Sequence, residues 1–294
     1  MPNSYFDEFI ENALKEDIGD GDHTSRACIP NEATGKAQLL VKEEGILAGV
    51  DVAVMIFEKL DPKVQIDVFK HDGDAVAPSD IAFVVEGKIL ALLKAERLVL
   101  NIMQRMSGIA TTTYQYVNQL EGLKTRILDT RKTTPGMRFL EKAAVKTGGG
   151  LNHRFGLFDM ILIKDNHIDF SGGISQAITR AKEYMKNTDR NLDIEIEARN
   201  LQDVKEILEI GGVRRIMLDN FNIEDTRKAV DMISGRFETE SSGGITFGNI
   251  RNYAECGVDY ISVGALTHQI KSLDLSLKAL NYHTDESGPS HIYL

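Results

Sequence analysis

A chain of 294 residues with a net charge of -10, 42% hydrophobic and 27% charged residues has an ordinary globular composition and can bury a large core in one or two domains. No apolar run approaches the ~18 residues of a membrane span, the start MPNSYFDEF lacks a basic then apolar signal, and the acidic balance argues against a nucleic-acid face, so a cytoplasmic protein is expected. Cys28 and Cys256 stand far apart without a CxxC, and the histidines show no HExxH, so neither a disulfide framework nor a zinc site is signalled; any metal should be oxygen-ligated and arrive with substrate.

In chain order, Phe6, Phe9, Ile10 and Leu14 recur at helical spacing and predict an opening amphipathic helix. The acidic loop EDIGDGDHT follows; its Asp17, Asp20 and Asp22 do not match the ligand pattern of a calcium-binding hand. From Gly35 to Val85, short segments such as KAQLLVKEEGILAG, KVQIDVF and IAFVVEG alternate with a helical VDVAVMIFEKL and with turns at HDGD and APSD, which reads as an α+β layer. A long helix is expected from Leu90 to about Leu120, broken near Ser107 and Gly108. Arg97 sits on it among Leu92, Leu93, Leu98 and Leu100, where the plain reading is an arginine snorkelling from an apolar helix.

After residue 125 the pattern turns to short strands followed by helices: RILD, MILIK, DIEIEA, RIMLDN, FETESS and YISVGA. This is the rhythm of a parallel α/β barrel or a doubly wound sheet, and six or seven strands favour an incomplete barrel. The strand ends carry Asp129 to Lys132, Lys164, Glu197, Asp219, Ser242 with Gly243 and Gly244, and Gly264. Barrel enzymes place their chemistry at that mouth, and glycine loops after late strands commonly seat a phosphate. SSGGIT is expected to open the helix TFGNIRNYAE with free amides, and VGALTH offers a second set. Glu197 and Asp219 close consecutive strands; among cations, such carboxylates suit ribose hydroxyls and a magnesium ion held by substrate phosphates.

The stretch from Leu128 to His167 concentrates the cations. Between Arg131 and His167 seven Lys and Arg face three Asp and Glu, a local +4 that leaves -14 on the remainder. A basic pocket on an acidic body points to a small polyanionic substrate. Arg138, Lys142 and Lys146, at spacing four in MRFLEKAAVKTGG, read instead as the solvated face of a helix. Arg131, Lys132 and Lys164 differ because each closes or follows a short apolar run that reads as a buried strand.

DTRKTTPG, an HR pair eleven residues before Lys164, KDNH, LDN and SGGI, in this order and spacing, resemble quinolinate phosphoribosyltransferase, a family also called nicotinate-nucleotide pyrophosphorylase (carboxylating). The resemblance runs over nearly the whole chain, from EDIGDGDHT to SVGALTH. It implies an N-terminal open α/β sandwich over 1–120, with the tail 271–294 packing back on it, and an incomplete parallel α/β barrel over 121–270. The implied reaction joins quinolinate to phosphoribosyl pyrophosphate with magnesium, giving nicotinate mononucleotide, pyrophosphate and CO2 in NAD biosynthesis.

By the matching motifs, Arg131, Lys132, His153, Arg154 and Lys164 would line the quinolinate pocket. Glu197 and Asp219 would lie near ribose and magnesium, and Ser242, Gly243, Gly244, Gly264, Ala265 and Leu266 would form the 5′-phosphate loops. Lys132, Lys164, Glu197 and Asp219 would carry catalysis. The resemblance further implies a homodimer, or a trimer of dimers, with Arg97 reaching into the neighbouring subunit's site. Rival readings are a related phosphoribosyltransferase for another pyridine or pyrimidine acid, a non-catalytic phosphate-binding barrel, and a glycoside hydrolase; the last lacks aromatic platforms, since Trp is absent.

Overall fold

In the computed structural model, which describes residues 3–280, the strands β1 (Thr34–Val41), β2 (Gly45–Ile46), β3 (Gln65–Val68), β4 (Ala75–Val76) and β5 (Ile81–Lys88) come first. The strands β6 (Arg126–Leu128), β7 (Ile161–Ile163), β8 (Ile194–Ala198), β9 (Arg215–Asp219), β10 (Glu238–Ser242) and β11 (Tyr260–Ser262) follow, and β12 (Leu275–Leu280) closes the described chain. Two units result: one from Met1–Thr111 with the segment from Lys271 on, the other Thr112–Ile270.

The first unit is built on an antiparallel sheet in the order β12-β1-β5-β3. Alternation along β1 puts Ala37, Leu39 and Val41 on its buried side, as a half-buried strand requires. Helix Val50–Leu60 turns Val50, Ala53, Ile56 and Phe57 inward, and Phe57 meets Phe83 of β5 edge-on at 6.0 Å. The tail segment that returns here is β12, whose Leu280 stands opposite Lys36; residues 281–294, the rest of the expected tail, lie outside the described residues.

Helix Ile89–Asn118 is continuous, in contrast to the break expected at Ser107 and Gly108. Both residues serve packing instead. The Ser107 hydroxyl accepts from the Ala48 amide at 2.9 Å and donates to the Ala48 carbonyl at 3.2 Å. A Cβ at Gly108 would meet the Lys271 carbonyl oxygen at 2.3 Å, so glycine is there for a close backbone approach. The division between the units falls at Thr111, inside this helix rather than at residue 120.

The second unit is a six-stranded parallel sheet in the order β6-β11-β10-β9-β8-β7. β6 and β7 are its two edges; among the described residues a single parallel bridge, Leu128 to Leu151, lies beyond β6, so the barrel is incomplete. Helices Leu201–Ile210 and Ile223–Ile233 are capped by Asn200 and Asn222, whose side chains accept from first-turn amides. β8 is buried at every position although its sequence is IEIEA. With period two, Ile194, Ile196 and Ala198 share one face, and Glu195 and Glu197 share the other, which is turned toward the cavity described next.

Candidate active site

One cavity of about 580 Å³ lies wholly within the second unit, at the C-terminal ends of its strands. Arg131 and Lys132 after β6, Arg154, and Lys164 after β7 form its cationic side, with His153 beside them. Glu197 at the end of β8 and Asp219 at the end of β9 face them, and Ser242, Gly243, Gly244, Gly264 and Ala265 complete the lining. Leu266 is fully buried instead and is not part of the lining, in contrast to the expected phosphate loop. Arg97 is exposed on its helix in the first unit and is not part of this lining.

Local chemistry holds each group. Lys164 caps helix Asp165–Ser171, with its amide donating to His167 Nδ1 at 3.0 Å, and its Nζ donates to Glu197 Oε1 at 2.5 Å. Glu197 Oε2 accepts from the Asp165 amide at 3.1 Å, so this buried carboxylate is fixed at both oxygens. Asp219 accepts from Asn220 Nδ2 at 2.8 Å; burial, reinforced by the Glu197 carboxylate, raises its pKa. Arg154 Nη1 donates to the Met160 carbonyl at 3.1 Å. Burial first, and Arg131 nearby second, lower the Arg154 pKa.

The glycine loops are shaped by contact. A Cβ at Gly243, where φ is +85°, would sit 2.2 Å from Asn220 Oδ1. One at Gly264 would press on Lys132 Cδ at 3.1 Å and on His268 Nε2 at 3.0 Å, so the missing side chain lets the lysine stem cross the loop. The helix expected straight after SSGG does not form there. Asn249 takes the Thr246 amide at 2.7 Å and returns a bond to the Gly244 carbonyl at 3.1 Å, closing a turn, and helix Ile250–Ala254 starts only afterwards. The amides this loop offers are therefore those of a turn rather than of a helix N-terminus.

Two of the three cations assigned to a wet helix face are elsewhere. Lys142 is buried on helix Arg138–Thr147, paired with the fully buried Asp129, and donates to the His153 carbonyl at 3.0 Å. Arg138 donates to Thr133 Oγ1 at 3.0 Å and to the Phe155 carbonyl at 3.0 Å; Lys146 alone is exposed. Asp129 also accepts from the His153 amide at 2.8 Å and from Asn152 Nδ2 at 2.6 Å. The pair thus brackets the segment that carries His153 and Arg154.

Sequence reading also missed Arg215 and Glu240 and gave Glu195 no role of its own. Together with His153 they form a charged layer at the floor of the cavity, which His153 and Glu240 help to line. Burial, opposed by Arg215, pushes the Glu195 carboxyl up to about 7, and burial reinforced by Glu195 pushes Glu240 up to about 7. The signal was present: IEIE and ETES place acid at every second position of strands that are otherwise buried, so the inward face had to be charged.

The family follows from comparison with known proteins. Family models described as the N-terminal and C-terminal domains of quinolinate phosphoribosyl transferase match residues 22–107 and 109–278. This chain belongs to the quinolinate phosphoribosyltransferase family. It is 45% identical to the chloroplastic nicotinate-nucleotide pyrophosphorylase [carboxylating] of Arabidopsis thaliana over 284 residues, 92% of this chain and 81% of that one. Identity is 43% to the probable nicotinate-nucleotide pyrophosphorylase [carboxylating] of Bacillus subtilis, with 92% of each chain covered. The solved structure of NadC from Streptococcus pyogenes superposes with a TM-score of 0.89 at 37% identity, covering 96% of this chain and 99% of that one. Among the described residues no helix is long and apolar enough to cross a membrane.

Proposed function

We propose that this cavity joins the ring nitrogen of quinolinate to the anomeric carbon of phosphoribosyl pyrophosphate, releasing pyrophosphate and CO2 and giving nicotinate mononucleotide for NAD biosynthesis. One observation carries the reading: a single cavity has Arg131, Arg154 and Lys164 on one side, Glu197 and Asp219 opposite, and the Ser242–Gly244 turn beside them. Guanidinium forks match carboxylates in geometry and hold a dicarboxylate in one orientation, aiming its ring nitrogen at the ribose. Glu197 and Asp219 accept from ribose hydroxyls, and the turn amides hold the 5′-phosphate. Lys132, whose stem crosses Gly264, adds a further cation to the pocket.

Once alkylated, the ring nitrogen is cationic. Loss of the 2-carboxylate then leaves its electron pair on C2, next to that charge, and a proton completes the product. Glycosyl transfer therefore precedes decarboxylation. Comparing turnover of quinolinate with that of nicotinate and orotate tests the reading; preference for either of the latter would replace it with a related phosphoribosyltransferase.

Magnesium is the cofactor this reading calls for. Two carboxylates crowded closely enough for Glu197 to raise the Asp219 pKa form a hard-oxygen pair that a divalent cation would relieve. When bound with the phosphates, magnesium supplies positive charge to the leaving group. A chelator should abolish turnover and leave the melting temperature unchanged; full activity in metal-free buffer would rule magnesium out.

We also propose a homodimer, or a trimer of such dimers, in which Arg97 serves the neighbouring site. Its exposure on its helix supports this. Arg97→Ala and Lys164→Ala should each be nearly inactive alone, while a mixed dimer regains one native site. Random exchange of two inactive preparations should then restore roughly a quarter of wild-type sites. A doubly tagged mixed dimer as inactive as its parents would return Arg97 to a packing role on its own helix.

A further inference from the structure

At the floor of the cavity, which His153 and Glu240 help to line, three neighbouring strands and one loop bring four ionisable side chains to a single point. Arg215 Nη1 donates to Glu240 Oε2 at 2.8 Å and lies 3.7 Å from Glu195 Oε2. His153 Nε2 lies 3.1 Å from Glu195 Oε2 and 3.6 Å from Glu240 Oε2. These last two are close polar contacts, not aligned hydrogen bonds. The other ring nitrogen, Nδ1, accepts the Arg154 amide at 2.7 Å. Nδ1 is therefore taken within the protein, and Nε2 carries the ring proton and faces the two carboxylates, close to them without an aligned hydrogen bond.

A metal ion is a poor occupant for the His153, Glu195 and Glu240 cluster. Binding would require Nε2 without its proton, in a place already served by the Arg215 guanidinium. Nor is the cluster an ordinary way to fill a barrel. Interior layers of parallel barrels are dominated by Val, Ile and Leu, and two dry carboxylates cost desolvation that apolar side chains of equal volume would avoid. Their contacts show where they act: upward on His153, which leads directly to Arg154 at the cavity wall.

We propose that Glu195 and Glu240 are positioning residues for the quinolinate pocket: with Arg215 they fix the His153 imidazole from below, and His153 through Nδ1 fixes the Arg154 backbone and so its guanidinium. The proposal rests on the reading of the cavity given above. Its sign is opposite to that of simple electrostatics. Removing a buried anion from beneath a dianion site would tighten substrate binding by charge alone, whereas loosening Arg154 weakens it.

The test uses the full-length enzyme, with Glu195→Gln and Glu240→Gln made singly, together, and in a His153→Asn background. Asparagine keeps an acceptor for the Arg154 amide and lacks the Nε2 end. Each Gln variant should raise KM for quinolinate about tenfold, the size of one lost charge-assisted contact, while KM for phosphoribosyl pyrophosphate stays within about twofold. The double Gln variant should do no worse than the weaker single one, because both act through one imidazole. In the His153→Asn background Glu240→Gln should have almost no further effect, which a merely structural role would not produce.

An unchanged or lowered KM for quinolinate in both Gln variants would overturn the proposal, as would an equal effect of Glu240→Gln with and without His153. Should the Gln variants not fold, Glu195→Asp and Glu240→Asp, which keep the charge but withdraw it by one methylene, carry the same comparison. Wild-type turnover of quinolinate, measured alongside, separates the two levels: its absence would overturn both readings, and its presence with unshifted KM only this one.

Discussion

Lys142→Ala is expected to unfold the protein at a markedly lower temperature than wild type, with a fall in soluble yield. Lys142 and Asp129 are buried, and the lysine also holds the His153 carbonyl. Burial lowers the lysine pKa and raises that of Asp129, so each charge persists only because of the other. Breaking such a pair from one side strands a charge in the interior and costs about 3–5 kcal/mol. Against total stabilities of about 5–15 kcal/mol that is a large fraction. Lys146→Ala, at an exposed position one turn on, should melt within a degree or two of wild type, since surface changes stay within about 0.5 kcal/mol. Adding Asp129→Asn to Lys142→Met should recover part of the loss by removing the stranded charge. Equal melting of Lys142→Ala and Lys146→Ala would return both to the helix surface.

Lys164→Ala should lose quinolinate turnover by roughly one to two orders of magnitude while melting close to wild type. The side chain is half-exposed, so its removal opens no interior, yet its Nζ is bonded to Glu197 on the cavity wall. A charge-assisted hydrogen bond is worth about 1.5–3 kcal/mol, or about 10- to 150-fold in rate, if it is made to the reacting substrate. A second loss adds to this: without the lysine, Glu197 and Asp219 are left as neighbouring carboxylates, and the site becomes more repulsive to a dianion. Arg154→Ala should fall by a similar factor, with the larger part in KM for quinolinate. Steady-state kinetics on both substrates check this; near-wild-type kcat/KM in either variant would move the dicarboxylate away from this wall.

How far the sequence could be read depended on whether a feature was local. Lys164, Glu197, Asp219 and Ser242 were legible because parallel strands deliver their C-terminal ends to one mouth, so position in a strand already places the side chain. Lys142 was not. Its spacing matches Lys146, and nothing nearby distinguishes a solvated lysine from one paired with an aspartate thirteen residues earlier at the end of another element. The charged layer was half legible: alternation in DIEIEA predicts that Glu195 and Glu197 share a face, but the partners Arg215 and Glu240 come from separate strands, and only the register of β8, β9 and β10 brings them together. The supposed break at Ser107 and Gly108 failed for a related reason, since small residues that look like helix breakers can equally be sites where another backbone comes close.

The return of β12 to the first sheet bears on how the chain is made. Lys36 finds its partner Leu280 only after all the residues between them have been made. Until then one edge of β1 offers an open row of backbone donors and acceptors, beside a side chain pattern rich in leucine and valine. The residues between β5 and β12 include all six strands of the parallel sheet, which can be completed while that edge waits. Synthesis halted or clipped after Ile270 would therefore leave the barrel strands intact and the first sheet with an unprotected edge, a form prone to pair with other copies of itself.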